Sequence, residues 1–418
     1  MIYHHQQDCK PAHRIEHTDS RRAWGGAGHS NEYKLPNVSL SFYVHIPYCV
    51  KRCGYCDFNT YTPGELKKGS DSVATVAQGY VDALLGEIER AEQRLGEEEI
   101  STIFFGGGTP TLLPAEHLGR VIDKLESTFG LAKDCEITTE ANPDSVDDAA
   151  LGKLREVGFN RISFGVQSVK SHVLQVLDRT HDSTRVGAVV TAARKAGFDS
   201  LSIDLIYGTP GESLEDFQES VDFALSLPID HVSAYALIVE QGTKFGAAVR
   251  RGEITMPNDD ETAEKYLFLD EYLERAGFTW YELSNWSKPG HECRHNRAYW
   301  LSANWWGLGA GAHSHVDGER WWNLKHPATY IDAVNAGNSP TAGHEILELA
   351  DKKMEELLLR IRMREGMSLD TFSTEQRARL DGFRARELFL AESWEQGQVV
   401  LSISGRLLAD QIVRELIF

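Results

Sequence analysis

The 418-residue sequence predicts an α/β fold: six strands alternating with helices in a parallel, closed or partly open (β/α)6 barrel, followed by a smaller, mainly helical, winged-helix-like domain. Two observations carry the barrel. From residue 41 onward, helical stripes of apolar residues alternate with short strand-like runs. In addition, Val157-Gly158-Phe159, Ala196-Gly197-Phe198 and Ala276-Gly277-Phe278 each close a helix and open a strand, with the glycine suited to the left-handed residue past a helix end. Their spacing matches one and about two copies of a β-α unit. A third observation, a change near residue 340 to charged, helical sequence, marks the second domain. A doubly wound open sheet is the alternative, and either topology places a ligand site at the carboxyl ends of the strands.

Residues 1–38 carry five histidines and no apolar period, so a disordered tail is expected, with metal capture by those histidines the lesser alternative. The barrel, over 39–280, opens with a strand at Ser41–Ile46. A helix follows at 73–95, striped by Tyr80, Leu84, Ile88, Ala91 and Leu95. Strand Ile100–Phe105 ends in Gly106-Gly107-Gly108, and helix 115–129 precedes strand Glu136–Ala141, which Cys135 opens as a small buried hydrophobe. Helix and strand then alternate at 147–157, 160–165, 183–196, 199–206, 213–226 and 230–238. Residues 281–340 form a Trp- and His-rich segment expected to pack on the barrel. In 341–418, Met354, Leu357, Leu358 and Ile361 stripe one helix, Thr371–Leu390 is helical in pattern, Val399–Ile403 reads as a strand, Ser404-Gly405 as a turn, and 407–417 as the last helix.

With 43 basic and 62 acidic residues the net charge is −19, which disfavours nucleic-acid phosphates and anionic membrane surfaces. The helical domain is therefore expected to dock a partner or support the fold instead of binding DNA. No apolar run approaches the roughly 20 residues of a membrane span, and the first 40 residues hold no secretory h-region, so a cytoplasmic location is expected. Six cysteines, three of them within eight residues, suit a reducing compartment with one metal or cluster site.

That group stands in Tyr43-Val-His-Ile-Pro-Tyr-Cys49-Val-Lys-Arg-Cys53-Gly-Tyr-Cys56, directly after the first strand. A structural zinc site wants four closed ligands, and no fourth follows at short range. Three thiolates, Cys49, Cys53 and Cys56, suit a [4Fe-4S] cluster with one iron left open to the amino and carboxylate groups of S-adenosylmethionine. An electron from the cluster then yields a 5′-deoxyadenosyl radical. Further polar groups fall at or after strand ends: Gly107, Gly108 and Thr109 after the second, Glu140 after the third, Gln167 and Arg179 after the fourth, and Asp204 on the fifth.

The three-thiol spacing resembles that of radical S-adenosylmethionine proteins. The whole set is similar to the oxygen-independent coproporphyrinogen III oxidases and their relatives, the HemW-type haem chaperones, over residues 41 to about 415. The resemblance implies that Tyr43, Tyr55, Gly107, Gly108, Thr109, Glu140, Gln167, Arg179, Asp204 and Ala236 contact S-adenosylmethionine. Asp204 and Glu140 would take hydroxyl or ammonium groups, and Arg179 a carboxylate.

Two features lean toward the chaperone branch. The oxidase pattern adds a further cysteine where this chain has Phe58, and an ordered N-terminal segment for which residues 1–38 lack the apolar pattern. The run His295-Asn296-Arg-Ala-Tyr299-Trp300 matches the chaperones' His-Asn-x-x-Tyr-Trp motif, within a 43-residue window holding seven of the nine tryptophans together with His291, Cys293, His313 and His315. Broad aromatic walls suit a haem macrocycle, with His295 as the expected axial ligand and Cys293 its competitor. Gly307, Gly309 and Gly311 read as another close backbone approach at the barrel mouth. The implied function is a haem chaperone that delivers haem to haem-dependent proteins, needs an electron donor for its cluster, pairs with a second copy as a further candidate partner, and lacks coproporphyrinogen oxidase activity. The alternatives are the oxidase itself or another radical enzyme on this scaffold.

Overall fold

The computed structural model describes residues 40–66, 73–96 and 98–417; the expectations for residues 1–38 lie outside them. Six strands run parallel in sequence order: β1 (Leu40–Ile46), β2 (Ile100–Gly107), β3 (Leu131–Ala141), β4 (Arg161–Gln167), β5 (Ser200–Tyr207) and β6 (His231–Ala236). The crossover helices are α1 (Val73–Leu95), α2 (Ala115–Phe129), α3 (Asp148–Glu156), α4 (Ser183–Ala196) and α5 (Leu214–Leu225), with α6 (Asp259–Arg275) after β6. Asp147, Asp182, Ser213 and Asn258 each accept a backbone N–H of the first turn and so start α3 to α6. Gly197 ends α4 at φ 91°, and Gly158 and Gly277 also take positive φ.

The strands are two-faced. Phe42, Val44, Ile46, Ile103, Phe105, Ile162, Phe164, Leu201, Ile203 and Leu205 are buried beneath the helices. The alternate positions are polar on almost every strand and bond to one another across the ladders: Thr102 to Ser41, Ser163 to Asp204, Ser202 to His231. A parallel sheet covered by helices on both faces would be apolar on both; this one encloses a polar lumen.

The ladder does not close β6 onto β1. The sheet continues past β6 with the hairpin β7 (Thr279–Glu282) and β8 (Asn285–Ser287), β8 lying antiparallel to β6. Past β1 it continues with β9 (Trp305–Leu308), parallel to β1, and an antiparallel run β10 (His313–Val316), β11 (Glu319–Asn323) and β12 (Thr341–Ile346). The result is one twelve-stranded sheet whose centre is a partly open barrel. Helix α7 (Arg294–Trp300) lies between β8 and β9, and α8 (Pro327–Asn335) packs on α1. The Trp-rich stretch thus supplies strands to both flanks of the sheet.

The C-terminal region holds α9 (Leu349–Arg360), α10 (Thr374–Arg384), α11 (Ala409–Ile417) and a two-stranded ribbon of β13 (Met367–Ser368) and β14 (Gln398–Val399). It docks through Arg406, whose guanidinium forms a bidentate pair with Asp270 of α6 and lies 4.3 Å from the Trp280 ring. No helix among the described residues is long and apolar enough to cross a membrane.

Two local expectations are corrected. β3 starts at Leu131, five residues early; its first part is polar and partly exposed, and a register shift separates the Leu131 pairing from that of Glu136, so no strand period shows. Ser404-Gly405 is not a turn but part of a short helix at Ile403–Leu407, capped by the Ser402 hydroxyl. Glycine is required at 405 because a Cβ there would overlap the Leu388 carbonyl.

Candidate functional site

The cysteine loop leaves β1 at Ile46 and is held from the end of β2. The Gly108 N–H donates to Ile46 O at 2.8 Å and the Thr109 N–H to Tyr48 O at 2.8 Å. A Cβ on Gly107, at φ 104°, would overlap the His45 ring, and one on Gly108 the Tyr48 and Ile46 carbonyls. These glycines let the two strand ends touch. The loop closes on itself through Cys49 N–H to Tyr61 O at 3.1 Å, turns tightly through Cys56 N–H to Cys53 O at 3.2 Å, and is joined to the segment after β6 by Phe245 N–H to Gly54 O at 2.8 Å.

All three thiols are partly exposed. Cys49 Sγ lies 3.9 Å from Thr109 Oγ1, and Cys53 Sγ 3.8 Å from Arg179 Nη1. Burial raises the Cys49 thiol and pushes Cys56 up to about 12, with the neighbouring thiolates adding to both. Without a cation these thiols keep their protons. Among the described residues no three His, Cys, Asp or Glu side chains converge on a position for a single ion. A cubane asks for something else, since each thiolate takes a different iron.

The other expected residues line the mouth beside the loop. Tyr43, Glu140, Asp204, Gly107 and Gln167 keep partial exposure although their strand neighbours are sealed, so the lumen is open at this end. Glu140 accepts the Gly107 N–H at 3.2 Å; burial, then the charge of Asp204, pushes its carboxyl up to about 7. Asp204 accepts from Ser163 Oγ at 2.8 Å and is also raised, by burial, against the pull of Ser163, Ser233 and the guanidinium charges of Arg161 and Arg179. Two carboxyls so placed favour a cationic ligand. Gln167 sits at φ 67°, left-handed backbone that costs about 1–3 kcal/mol in a non-glycine residue. The Gln167, Arg179 and Asn142 side chains meet over Gly165, whose carbonyl accepts from Arg179. Tyr55, like Leu237, packs against the cluster of Val173, Leu177 and Ile206, and Ala236 ends β6 opposite Tyr207. The structure therefore gathers Tyr43, Tyr55, Gly107, Gly108, Thr109, Glu140, Gln167, Arg179, Asp204 and Ala236 around one mouth.

Sequence reasoning missed several members of this neighbourhood. His45 links Tyr43 (hydroxyl to Nδ1, 2.9 Å) to Asn59 O in the cysteine loop (Nε2, 2.9 Å). Asn142 donates to Thr109 Oγ1 at 3.0 Å. Asp178, at φ 56°, bridges Lys51 of the loop (3.2 Å) and Lys244 (3.0 Å) across the mouth. The period-two polar alternation within β1 to β6 was the available signal for His45 and Ser163.

His295 does not open onto the mouth. It is 1% exposed beneath it, beside Thr102 and Glu136, with its ring centre 6.5 Å from that of Tyr43. Thr102 spends its hydroxyl hydrogen on Ser41, so at 2.7 Å it accepts from His295 Nδ1–H. That leaves the Nε2 lone pair, which accepts the Tyr299 hydroxyl at 2.9 Å. Burial drives the imidazole down to about 3, so it stays neutral. A haem iron would need that same lone pair, so His295, expected as an axial ligand, does not offer it in this arrangement. Cys293 is also buried, its thiol on Glu136 at 3.6 Å. Nor do the tryptophans form one wall. In a strand, neighbours point to opposite faces: Trp306 and Trp321 meet edge-on at 4.8 Å under Arg94 of α1, while Trp305 contacts Tyr299 and His315, and Trp322 stacks on His313.

Residues 43–224 match the radical SAM superfamily. The chain is 44% identical over 383 residues to the haem chaperone HemW of Mycobacterium tuberculosis, covering 92% of this chain and 96% of that one. It is 34% identical to the HemW of Bacillus subtilis, covering 89% and 97%. In fold it is similar to the coproporphyrinogen III oxidase HemN of Escherichia coli, with TM-score 0.73, 24% identity and 90% of each chain covered. With its three-thiol loop on a partly open barrel and this similarity over nearly its whole length, the chain belongs to the HemW haem chaperone family of radical SAM proteins.

Proposed function

We propose that the protein is a haem chaperone of a reducing, cytoplasmic compartment, carrying a [4Fe-4S] cluster and S-adenosylmethionine at the barrel mouth and passing haem to haem-dependent proteins. The observation that carries this is the 44% identity spanning nearly all of a relative named as a haem chaperone. The donor chemistry fits the cluster: three thiols stand on one loop, and burial raises the proton affinity of Cys49 and Cys56, whose protons iron would displace. A bound cluster supplies a single electron to S-adenosylmethionine. The chain does the rest. Glu140 and Asp204 hold the positive and hydroxyl-bearing parts of that ligand, and Arg179 its carboxylate. Ser163 fixes Asp204. Phe58, 38% exposed, stands where the oxidases place a further cysteine, so turnover of coproporphyrinogen III is not expected.

Anaerobic reconstitution of the full chain should give about four iron and four sulfide, and replacing Cys49, Cys53 or Cys56 by Ala should remove most of both. The loaded protein should bind haem, retain it when the five histidines of residues 1–38 become Gln, and release it to a haem-free acceptor enzyme. Loss of haem with those histidines alone, or sustained turnover of coproporphyrinogen III, would overturn the proposal.

A further inference from the structure

We infer that the His295-Asn296-x-x-Tyr299 helix is a strut beneath the barrel and that His295 is a positioning residue for the mouth, acting through Phe104 and Tyr43. This rests on the reading of the mouth as the S-adenosylmethionine site.

The helix is anchored on three parts of the sheet. Both Glu136 oxygens of β3 accept its first N–H groups, from Arg294 and His295, each at 3.0 Å. Asn296 Nδ2 donates to Glu282 of β7 at 3.1 Å. Tyr299 lies edge-on against Trp305 of β9, ring centres 4.8 Å apart. β7 and β9 belong to opposite flanks of the open barrel, so this short helix spans the gap that the strand ladder leaves.

From it the His295 ring enters a cluster of three rings in the lumen. His295 lies against Phe104 at 5.2 Å and 25° and against Tyr43 at 6.5 Å and 33°, and Phe104 stacks on Tyr43 at 6.4 Å and 26°. Because Asn59 O accepts from His45 Nε2–H, His45 Nδ1 accepts the Tyr43 hydroxyl. The Tyr43 oxygen therefore keeps its lone pairs toward the mouth, and its height in the lumen is set from below. Asn59, three residues past Cys56, donates in turn to Ala310 O at 3.0 Å and Lys325 O at 2.8 Å. Floor, ligand site and cysteine loop form one run of contacts. Deleting the His295 ring removes a neighbour of both Phe104 and Tyr43 and strips Thr102 and Tyr299 of a partner, letting both rings shift into the space it leaves.

The test uses reconstituted full-length protein in four forms: wild type, His295→Ala, Tyr299→Phe and Asp204→Ala. S-adenosylmethionine affinity, the change it induces in the paramagnetic spectrum of the reduced cluster, iron content and the haem Soret band are measured on each. His295→Ala should keep its iron, bind S-adenosylmethionine ~10-fold or more weakly, show an altered ligand-induced spectrum, and leave the Soret band in place. Tyr299→Phe, which deletes only the hydroxyl on Nε2, should move the same way by less, and it serves as the readout should His295→Ala fail to fold. A shifted Soret band with unchanged S-adenosylmethionine affinity in either variant would overturn the inference and restore His295 as an iron ligand. Weakened binding in Asp204→Ala together with wild-type binding in both strut variants would overturn the inference alone. Wild-type binding in Asp204→Ala would overturn the site reading beneath it.

Discussion

Glu140→Gln separates the stability of the mouth from its use. In the ligand-free chain the Glu140 carboxyl titrates at about 7 instead of the ordinary 4.5, first because it is desolvated and then because Asp204 repels its charge. Between those values the folded chain holds a proton that the unfolded chain has released. Stability must therefore fall as pH rises through that window and carry the full penalty above it. At about 1.4 kcal/mol per tenfold change in proton affinity the penalty is roughly 3 kcal/mol. Solvent at the open mouth and the weaker bond from the Gly107 N–H to a neutral oxygen reduce the difference to about 2 kcal/mol. Glutamine has the same shape and no charge, so its stability curve lacks this slope. Urea denaturation of cluster-free protein should show the variant more stable by about 2 kcal/mol at pH 8 and equal to wild type near pH 4.5. Calorimetric binding of S-adenosylmethionine by the reconstituted variant should be lost or at least ~10-fold weaker. A variant less stable than wild type at pH 8, or one with the same offset at both pH values, would refute the electrostatic account.

Two further substitutions probe the frame around the site. Glu87 of α1 is sealed and accepts from Tyr330 at 2.5 Å, Gly309 N–H at 2.9 Å and Asn323 at 2.7 Å, so Glu87→Ala orphans three donors; a loss of at least about 3 kcal/mol in thermal or urea unfolding is expected. Arg406→Met leaves the Asp270 carboxylate without its cation beneath Trp280, which should cost about 3–5 kcal/mol and expose the C-terminal region to limited proteolysis, whereas a change under about 1 kcal/mol would show that the pair does not hold that region.

The sequence shows the barrel clearly because its signals are local. Apolar stripes set α1, α2 and α4 to within a residue, and glycines 158, 197 and 277 mark the helix ends. The mouth is legible for a related reason: strand ends converge in any such barrel, so polar residues placed there share a site whatever their separation along the chain. What stays hidden depends on distant partners. The His295 motif is conspicuous, yet its chemistry is fixed by Thr102, 193 positions away, which claims one ring nitrogen and, through Ser41, sets which tautomer forms. Trp305-Trp306 and Trp321-Trp322 look like broad aromatic surface only until they are placed on strands, where each pair divides between two faces.

The lumen also shows why polarity alone misdirects a search for the ligand site. Its floor is as polar as its mouth, with His231, His295, Glu136, Tyr281 and Asn296 all facing inward. Those floor groups answer one another: His231 is held by Ser202 and Tyr281, both at 2.8 Å, and Asn296 by Glu282. The mouth groups do not balance. Burial raises the proton affinity of Glu140 and Asp204, the charge of Asp204 raises that of Glu140 further, and the Cys49 and Cys56 thiols hold their protons for want of a cation. A buried polar group that is fully partnered stiffens the fold; one left with excess charge and an opening beside it is where binding free energy is available. By that criterion the histidine most conspicuous in the sequence fits a scaffold role, and the less conspicuous carboxyls of β3 and β5 are the proposed ligand groups.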